Sequence, residues 1–182
     1  SLVRLLSNGQ PDSSFAQQGT AILPFNGYLT GEATAQEVLA DGTVYLVGTC
    51  NATFQQGVPS VLVAKLSPMG TLDASFGSDG QVCVNPTNPA FYDYVYYSGI
   101  AVLPDGNILI SGEMSGSNTT LVTSLTPTGT FTSSPPFPDT TMYFPGSSVA
   151  QSTAAAFVNG KFTVAGFASN GSGFFGTLAQ FN

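Results

Sequence analysis

Residues 38–48 read VLADGTVYLVG, and this stretch organises the chain because it returns twice further along. The second copy, residues 102–112, reads VLPDGNILISG, and a weaker third copy, residues 157–166, reads FVNGKFTVAG. Measured between Asp41, Asp105 and Asn159, the copies lie 64 and 54 residues apart. A period of this size is typical of stacked repeat architectures.

A second marker alternates with the first and confirms the period. Residues 4–15 read RLLSNGQPDSSF, and residues 65–76 read KLSPMGTLDASF, 61 residues further on. A third copy starts as SLTPTGTF at residues 124–131 and then decays, because Thr132 and Pro135 replace the Asp and the Phe. The whole chain of 182 residues is therefore predicted to be one repeat array, with approximate repeats 1–33 (partial), 34–96, 97–150 and 151–182 (partial).

Each repeat predicts four short strands bounded by Gly, Pro, Asn or Asp. Asp-Gly or Asn-Gly, the strongest short hairpin signal, separates the first strand from the second. The second strands, near residues 44–47, 108–110 and 162–165, are continuously apolar, which indicates burial on both faces. No segment keeps a helical period. We predict an all-β, β-propeller-like array of about three four-stranded antiparallel blades, with the small residues of the first strands at the crowded centre.

Residues 66–82 follow the pattern LxxxGxLDxSFGxxGxV, and together with residues 102–112 they resemble the delta-60 repeat family. Those are tandem repeats of bacterial surface and secreted proteins that look like propeller blades. The resemblance covers nearly the whole chain, and the middle copy matches best, since Ala16 stands in the first copy where Gly77 stands in the second. It implies a fold and a location rather than an activity.

The charge balance excludes one class of partner and indicates a location. The chain is acidic, with a formal net charge of −7 and three basic residues, Arg4, Lys65 and Lys161. Nucleic-acid binding needs clustered basic groups to neutralise phosphates, so we expect no nucleic-acid partner. No run of 18 apolar residues occurs, so we expect no membrane insertion. Low charge with abundant Thr, Ser, Asn and Gly favours a secreted or cell-surface protein.

The two cysteines leave the question of a disulfide open. Cys50 falls on a predicted second strand and Cys83 on a fourth, with a third strand between them. Two strand spacings place them roughly 9–10 Å apart. That is too far for a bridge unless the strand ends curl together.

Three blades do not close a ring, because propellers typically have four to eight. The chain opens on a third and a fourth strand and finishes on a first, a second and a third, and exposed sheet edges invite pairing. One hypothesis is a homo-oligomer, a dimer that closes a six-bladed ring as each chain's N-terminal strands complete the other's C-terminal blade. The alternative is that the chain is part of a longer array.

Glu37 is a candidate ligand-binding residue, since the other copies carry Ala101 and Ala155 at its position. A carboxylate on a crowded inner strand must face water or a partner, because burying it alone is costly. We expect Glu37 to point into a central channel, with Glu32 joining it from the approach to the same strand. The alternative is a solvated strand end.

Residues 91–97 read FYDYVYY and place Tyr92, Asp93, Tyr94, Tyr96 and Tyr97 just before an inner strand, on one rim of a blade. Tyrosine combines a flat apolar face with a polar hydroxyl, which suits sugars and protein interfaces. Asp93 is placed to accept hydrogen bonds from sugar hydroxyls. The alternative is ordinary packing between blades.

Asp12 and Asp73 head the Asp-x-Ser-Phe loops, where a carboxylate either caps backbone N–H groups in an Asx-turn or binds calcium. No second acid follows at the alternating spacing of calcium loops, so we predict turns and no metal site.

Catalysis has little support, because the chain has no histidine and two cysteines. Neither a nucleophile–histidine pair nor a zinc site is available, and we expect no cofactor. The favoured interpretation is an exported, non-enzymatic binding or interaction module with a protein or glycan partner. A lectin-like glycan-binding protein is the first alternative. A hydrolase using Glu32, Glu37, Asp93 and Glu113 is the second.

Overall fold

The computed structural model describes residues 1–24, 30–51, 60–84, 95–114, 119–132, 140–143 and 149–181. This described part is all strand and turn, and no helix in it is long and apolar enough to cross a membrane. The strands are β1 (Leu2–Val3), β2 (Thr20–Ala21), β3 (Thr30–Val38), β4 (Val44–Asn51), β5 (Ser60–Leu66), β6 (Gln81–Val84), β7 (Val95–Val102), β8 (Ile108–Met114), β9 (Thr119–Leu125), β10 (Thr140–Tyr143), β11 (Val149–Val158), β12 (Lys161–Ser169) and β13 (Phe174–Phe181).

The strands form four antiparallel sheets in which neighbours along the chain are neighbours in space. We call β1–β2 the N-terminal sheet, β3–β6 blade 1, β7–β10 blade 2 and β11–β13 the C-terminal sheet. Blades 1 and 2 have four strands each, and the C-terminal sheet has three. The predicted all-β, propeller-like architecture is therefore confirmed.

The sheets pack face to face, and a buried apolar cluster fills each junction. Successive residues of a second strand face opposite neighbours, which explains why these strands are continuously apolar. The clusters include Phe15, Leu46 and Leu66 (N-terminal sheet to blade 1), Val47, Val63, Phe76, Ile110 and Leu125 (blade 1 to blade 2), and Leu109, Val122, Phe162 and Val164 (blade 2 to the C-terminal sheet).

The innermost strands, β3, β7 and β11, each carry a β-bulge near their middle. Opposite each bulge stands the glycine that closes the first marker: Gly48, Gly112 or Gly166. A Cβ atom on Gly48 would lie 1.7 Å from the carbonyl oxygen of Glu32, and one on Gly166 would lie 1.9 Å from that of Gln151. The repeated glycine is therefore required by the close approach of the bulged backbone.

Cys50 and Cys83 form a disulfide, with their Cα atoms 6.2 Å apart. The separation of 9–10 Å expected from the sequence is wrong because it assumes a flat sheet. Cys50 lies at the end of β4 and Cys83 at the end of β6, and these two strand ends curl towards each other across β5.

Candidate functional site

The three inner strands are fixed to one another by hydroxyl groups at their bulges. The Thr34 hydroxyl of β3 donates to the backbone carbonyl of Tyr97 on β7. At the equivalent place in the next junction, the hydroxyls of Ser98 and Ser152 lie 2.7 Å apart and join β7 to β11. These contacts therefore fix the position of each inner strand along the strand beside it.

This arrangement places Glu32, Tyr96 and Gln151 at equivalent positions, each two residues before a bulged residue. All three lie towards the beginning of an inner strand and hence at the same rim of the array; we call them the rim row. Glu32 is exposed, Tyr96 is 54% exposed and Gln151 is half-buried. The structure thus brings two of the predicted site residues, Glu32 and Tyr96, to one rim.

A polar pair stands beside Tyr96. The Gln151 side-chain amide donates to Oε1 of Glu113 over 3.0 Å, which joins the C-terminal sheet to blade 2. Glu113 is directly opposite Tyr96 in the β7–β8 register, so both side chains project from the same face of the blade. Burial raises the pKa of the Glu113 carboxyl. Nothing in the sequence alone singles out Gln151, which becomes recognisable from its alignment with Tyr96 once the bulges are known.

Tyr97 is buried in the apolar cluster between blades 1 and 2. For this residue, the structure agrees with the alternative interpretation, ordinary packing between blades. Adjacent residues of a strand point to opposite faces, which separates buried Tyr97 from exposed Tyr96. The predicted site residues Tyr92, Asp93 and Tyr94 lie outside the described part of the chain.

Glu37 contacts the neighbouring blade. Its Oε2 atom accepts a hydrogen bond of 2.5 Å from the backbone N–H of Val102, and burial raises the pKa of the carboxyl. Glu32 lies five positions earlier on β3, roughly 16 Å away at the rise of a strand. The two glutamates therefore do not share a site, and the ligand-binding role of Glu37 stays a prediction.

The strand register also refines the alignment of Glu37 with the other copies. Glu37 pairs with Tyr45, and its counterparts pair with Leu109 and Thr163. The counterpart in blade 2 is Ala101, as expected. In the C-terminal sheet it is Ala156 rather than Ala155, because the third hairpin is one residue shorter.

The carboxylates Glu37 and Glu113 lie at opposite ends of β7. Glu37 accepts a hydrogen bond from the N–H of Val102, and Glu113 stands opposite Tyr96. Tyr96 lies six residues before Val102 on β7, which corresponds to roughly 20 Å at the rise of a strand. Catalytic carboxylate pairs in glycoside hydrolases are about 5–10 Å apart. These two residues therefore do not form such a pair. Within the described ranges, no three His, Cys, Asp or Glu side chains come together as metal ligands.

The Asp-x-Ser-Phe loops are Asx-turns, as predicted. Oδ1 of Asp73 accepts hydrogen bonds from the N–H and the hydroxyl of Ser75 at 3.1 and 2.6 Å, and its other oxygen pairs with Lys65 at 2.7 Å. The Lys65 ammonium and the Ser75 groups lower the pKa of Asp73 to about 2. Asp12 makes the same contacts with Ser14 and Arg4 in the first copy.

The phenylalanine that ends each loop docks on the following sheet. The ring of Phe15 lies against the turn at Gly70, where an added Cβ would be 2.8 Å from the ring. The ring of Phe76 lies against the turn at Gly129 in the same way, at 3.1 Å. The second marker is therefore a device that joins consecutive blades, rather than a ligand loop.

Comparison with known proteins supports the propeller assignment for part of the chain. Residues 39–76 match the model of a family described as "Domain of unknown function (DUF5122) beta-propeller". This segment is similar to a propeller repeat. It spans the hairpin, β4, β5 and the Asp-x-Ser-Phe loop of blade 1. No curated protein matches the chain.

Proposed function

We propose that this chain is an exported, non-enzymatic binding module of the delta-60 type that presents its rim row to a protein partner. The observation that carries the proposal is the alignment of Glu32, Tyr96 and Gln151 along one rim by the bulged inner strands. Hydrogen bonds between these strands hold the row in place before a partner arrives. A preorganised surface loses little conformational entropy on binding.

The residue types of the rim row suit a protein interface. Tyr96 offers a large amphipathic ring, and tyrosine is enriched among the residues that dominate binding energy. Exposed Glu32 adds a negative charge at the equivalent position of the neighbouring blade. The partner chemistry that matches is an apolar contact for the ring flanked by a basic or hydrogen-bond-donating group.

Three observations support export. The Cys50–Cys83 disulfide is of a kind that persists in oxidising compartments. The low charge content, 7%, and the Asp-x-Ser-Phe loops that resemble delta-60 repeats point the same way. Together they favour a secreted or cell-surface location.

Glycan binding is the second candidate, and the polar pair beside Tyr96 favours it. An aromatic ring stacks on a sugar face, while neighbouring amide and carboxylate groups take its hydroxyls. Gln151 and Glu113 supply those groups, joined at 3.0 Å. The hydrolase alternative is less favoured, because two of its carboxylates, Glu37 and Glu113, lie at opposite ends of β7.

The test is binding of the labelled chain to an array of extracellular protein domains and to a glycan array. Tyr96→Ala is the informative variant, and Val158→Ala is the control because Val158 is equally exposed at the opposite, hairpin end of β11. A protein hit lost only in Tyr96→Ala supports the proposal, and a glycan hit lost in the same way supports the second candidate. Hits that survive Tyr96→Ala, or no hits on either array, contradict both.

A further inference from the structure

The N-terminal sheet exposes a position that is buried in both blades. Leu5, Leu66 and Leu125 are equivalent, since each bridges to the same loop position, at Pro11, Leu72 and Phe131. Leu66 and Leu125 end β5 and β9, and Leu5 lies two residues after β1. Leu66 and Leu125 are 0% exposed because the preceding sheet covers them, whereas Leu5 is 57% exposed. Leu5 therefore lies on a face built to be covered.

The neighbours of Leu5 on that face repeat the difference. Val3 is 52% exposed, whereas the equivalent Ala64 and Thr123 are 0% and 1% exposed. Ile22, which lies on the same side of the adjoining strand as Thr20, the partner of Val3, is exposed as well. We call Val3, Leu5 and Ile22 the N-terminal face.

The C-terminal sheet shows the same exposure on its opposite side. Leu178 occupies the third-strand position of Val63 and Val122, as their pairing across the second strands shows. Val63 and Val122 are 0% exposed because the following sheet covers them, whereas Leu178 is 72% exposed. Phe174, four residues earlier on the same side of β13, is also exposed. We call Phe174 and Leu178 the C-terminal face.

The two faces correspond to the two halves of a junction that already exists inside the chain. Between blades 1 and 2, Val63 contributes the half that matches Leu178, and Leu125 contributes the half that matches Leu5, to one buried cluster. Within the described residues, each half is thus present a second time as an exposed face, one on the N-terminal sheet and one on the C-terminal sheet. Contiguous exposed apolar residues of this kind mark interaction sites.

We propose that the C-terminal face of one copy packs on the N-terminal face of a second copy, head to tail. Each contact joins two unlike faces, and two such contacts related by a twofold axis close two chains into a ring. Stacking of faces is preferred here over extension of a sheet edge, because edge pairing alone leaves Leu5 and Leu178 uncovered. The proposal is independent of what the rim row binds.

The test uses light scattering on a sizing column with two variants, Leu178→Asp and Leu5→Asp. Met69→Asp is the control, since Met69 is similarly exposed on a turn of blade 1 and belongs to neither face. The wild type and the control are expected to have the mass of two chains. Each variant alone is expected to be monomeric, with association weakened about 30-fold or more.

Mixing the two variants provides the decisive arm. A head-to-tail pair of Leu178→Asp with Leu5→Asp retains one unaltered contact, so the mixture is expected to recover a two-chain species. That recovery also shows that both variants are folded. A monomeric wild type, a Leu5→Asp variant that remains dimeric, or a mixture that stays monomeric would overturn the proposal; a monomeric wild type would assign the faces to another occupant.

Discussion

The junction between blades 1 and 2 is built differently from the junction between blade 2 and the C-terminal sheet. Within the described residues, the first buries twelve residues in its cluster and the second six. In the second strands, Val47 faces the first junction, and its counterpart at the second is buried Ser111. Polar side-chain contacts are present at both junctions: Thr34 with Tyr97 and Glu37 with Val102 at the first, and Ser98 with Ser152 and Gln151 with Glu113 at the second. The two junctions therefore differ mainly in the size of their apolar clusters.

The difference follows the decay of the repeat along the sequence. The first junction has a complete Asp-x-Ser-Phe loop, whose Phe76 docks on blade 2. In the third copy Ser124 and Thr132 replace the ion pair of Lys65 with Asp73, and their hydroxyls lie 2.5 Å apart. The third copy thus keeps the geometry of the loop with neutral groups. We infer that the first junction, with its larger apolar cluster, contributes more to stability than the second.

Core truncation should separate the two junctions most strongly. Phe76→Ala is expected to lower the free energy of unfolding by about 4 kcal/mol, because it empties the larger cluster and the contact below Gly129. Phe162→Ala, in the smaller cluster, is expected to cost about 3 kcal/mol. Denaturant unfolding of the two variants measures the difference, and an equal or larger loss for Phe162→Ala would contradict the ranking.

Removing the disulfide should destabilise blade 1, which forms one half of the junction with the larger apolar cluster. Cys50 and Cys83 are 33 residues apart, and a closed loop of this length stabilises a fold by about 4 kcal/mol. The Cys50→Ser, Cys83→Ser double variant is expected to lose about that amount in urea unfolding. A wild-type sample treated with reductant is the matched control. No change in either sample would show that the bridge does not restrain the unfolded chain.

The stability contributed by the loop at Asp73 should depend on pH, whereas that contributed by the loop at Thr132 should not. The pKa of Asp73 is lowered to about 2, so its contribution is present above the unfolded value of about 4 and is lost as the pH falls towards 2. Lys65→Met is expected to cost about 1 kcal/mol at pH 7 and to remove part of this acid dependence. Thr132→Ala should cost a similar amount equally at pH 7 and pH 3. An identical pH profile for both variants would be evidence against this account.

The smallest expected effect is at Glu37. Burial raises the pKa of its carboxyl, so protonation favours the fold, and this contribution fades as the pH rises through the raised value. Glu37→Gln keeps an acceptor for the N–H of Val102 without the buried charge. It is expected to gain about 0.5 kcal/mol at pH 7 and nothing at pH 4. Thermal unfolding at the two pH values tests this, and a loss at pH 7 would mean that the charge itself is needed.

Local sequence signals were sufficient for the strands, the hairpins and the Asx-turns. The Asp-Gly and Asn-Gly turns, the apolar second strands and the loops at Asp12 and Asp73 all depend on residues close in sequence. The sequence pattern also contains the glycine opposite each bulge, although its purpose becomes clear only from the approach of the Glu32 or Gln151 backbone.

The sequence does not predict features that depend on the curvature of strands or on contacts between residues far apart in the chain. The Cys50–Cys83 bridge needs strand ends that curl, which strand spacing alone does not reveal. The pairing of Gln151 with Glu113 needs the bulges to be counted, because each shifts the alignment by one residue. The separation of Glu32 from Glu37 follows from the length of β3, and the hydroxyl pair of Ser124 and Thr132 needs the loop to be seen in space.

Native-state hydrogen exchange tests the central claim, that the two junctions are unequal, most directly. The Leu178→Asp variant is the sample of choice, because no second copy then covers the C-terminal sheet. The account predicts that amides of β4, β5 and β8 exchange only through global unfolding, whereas those of β12 and β13 exchange earlier through partial unfolding. Equal protection of β8 and β12, or stronger protection of β12, would contradict it.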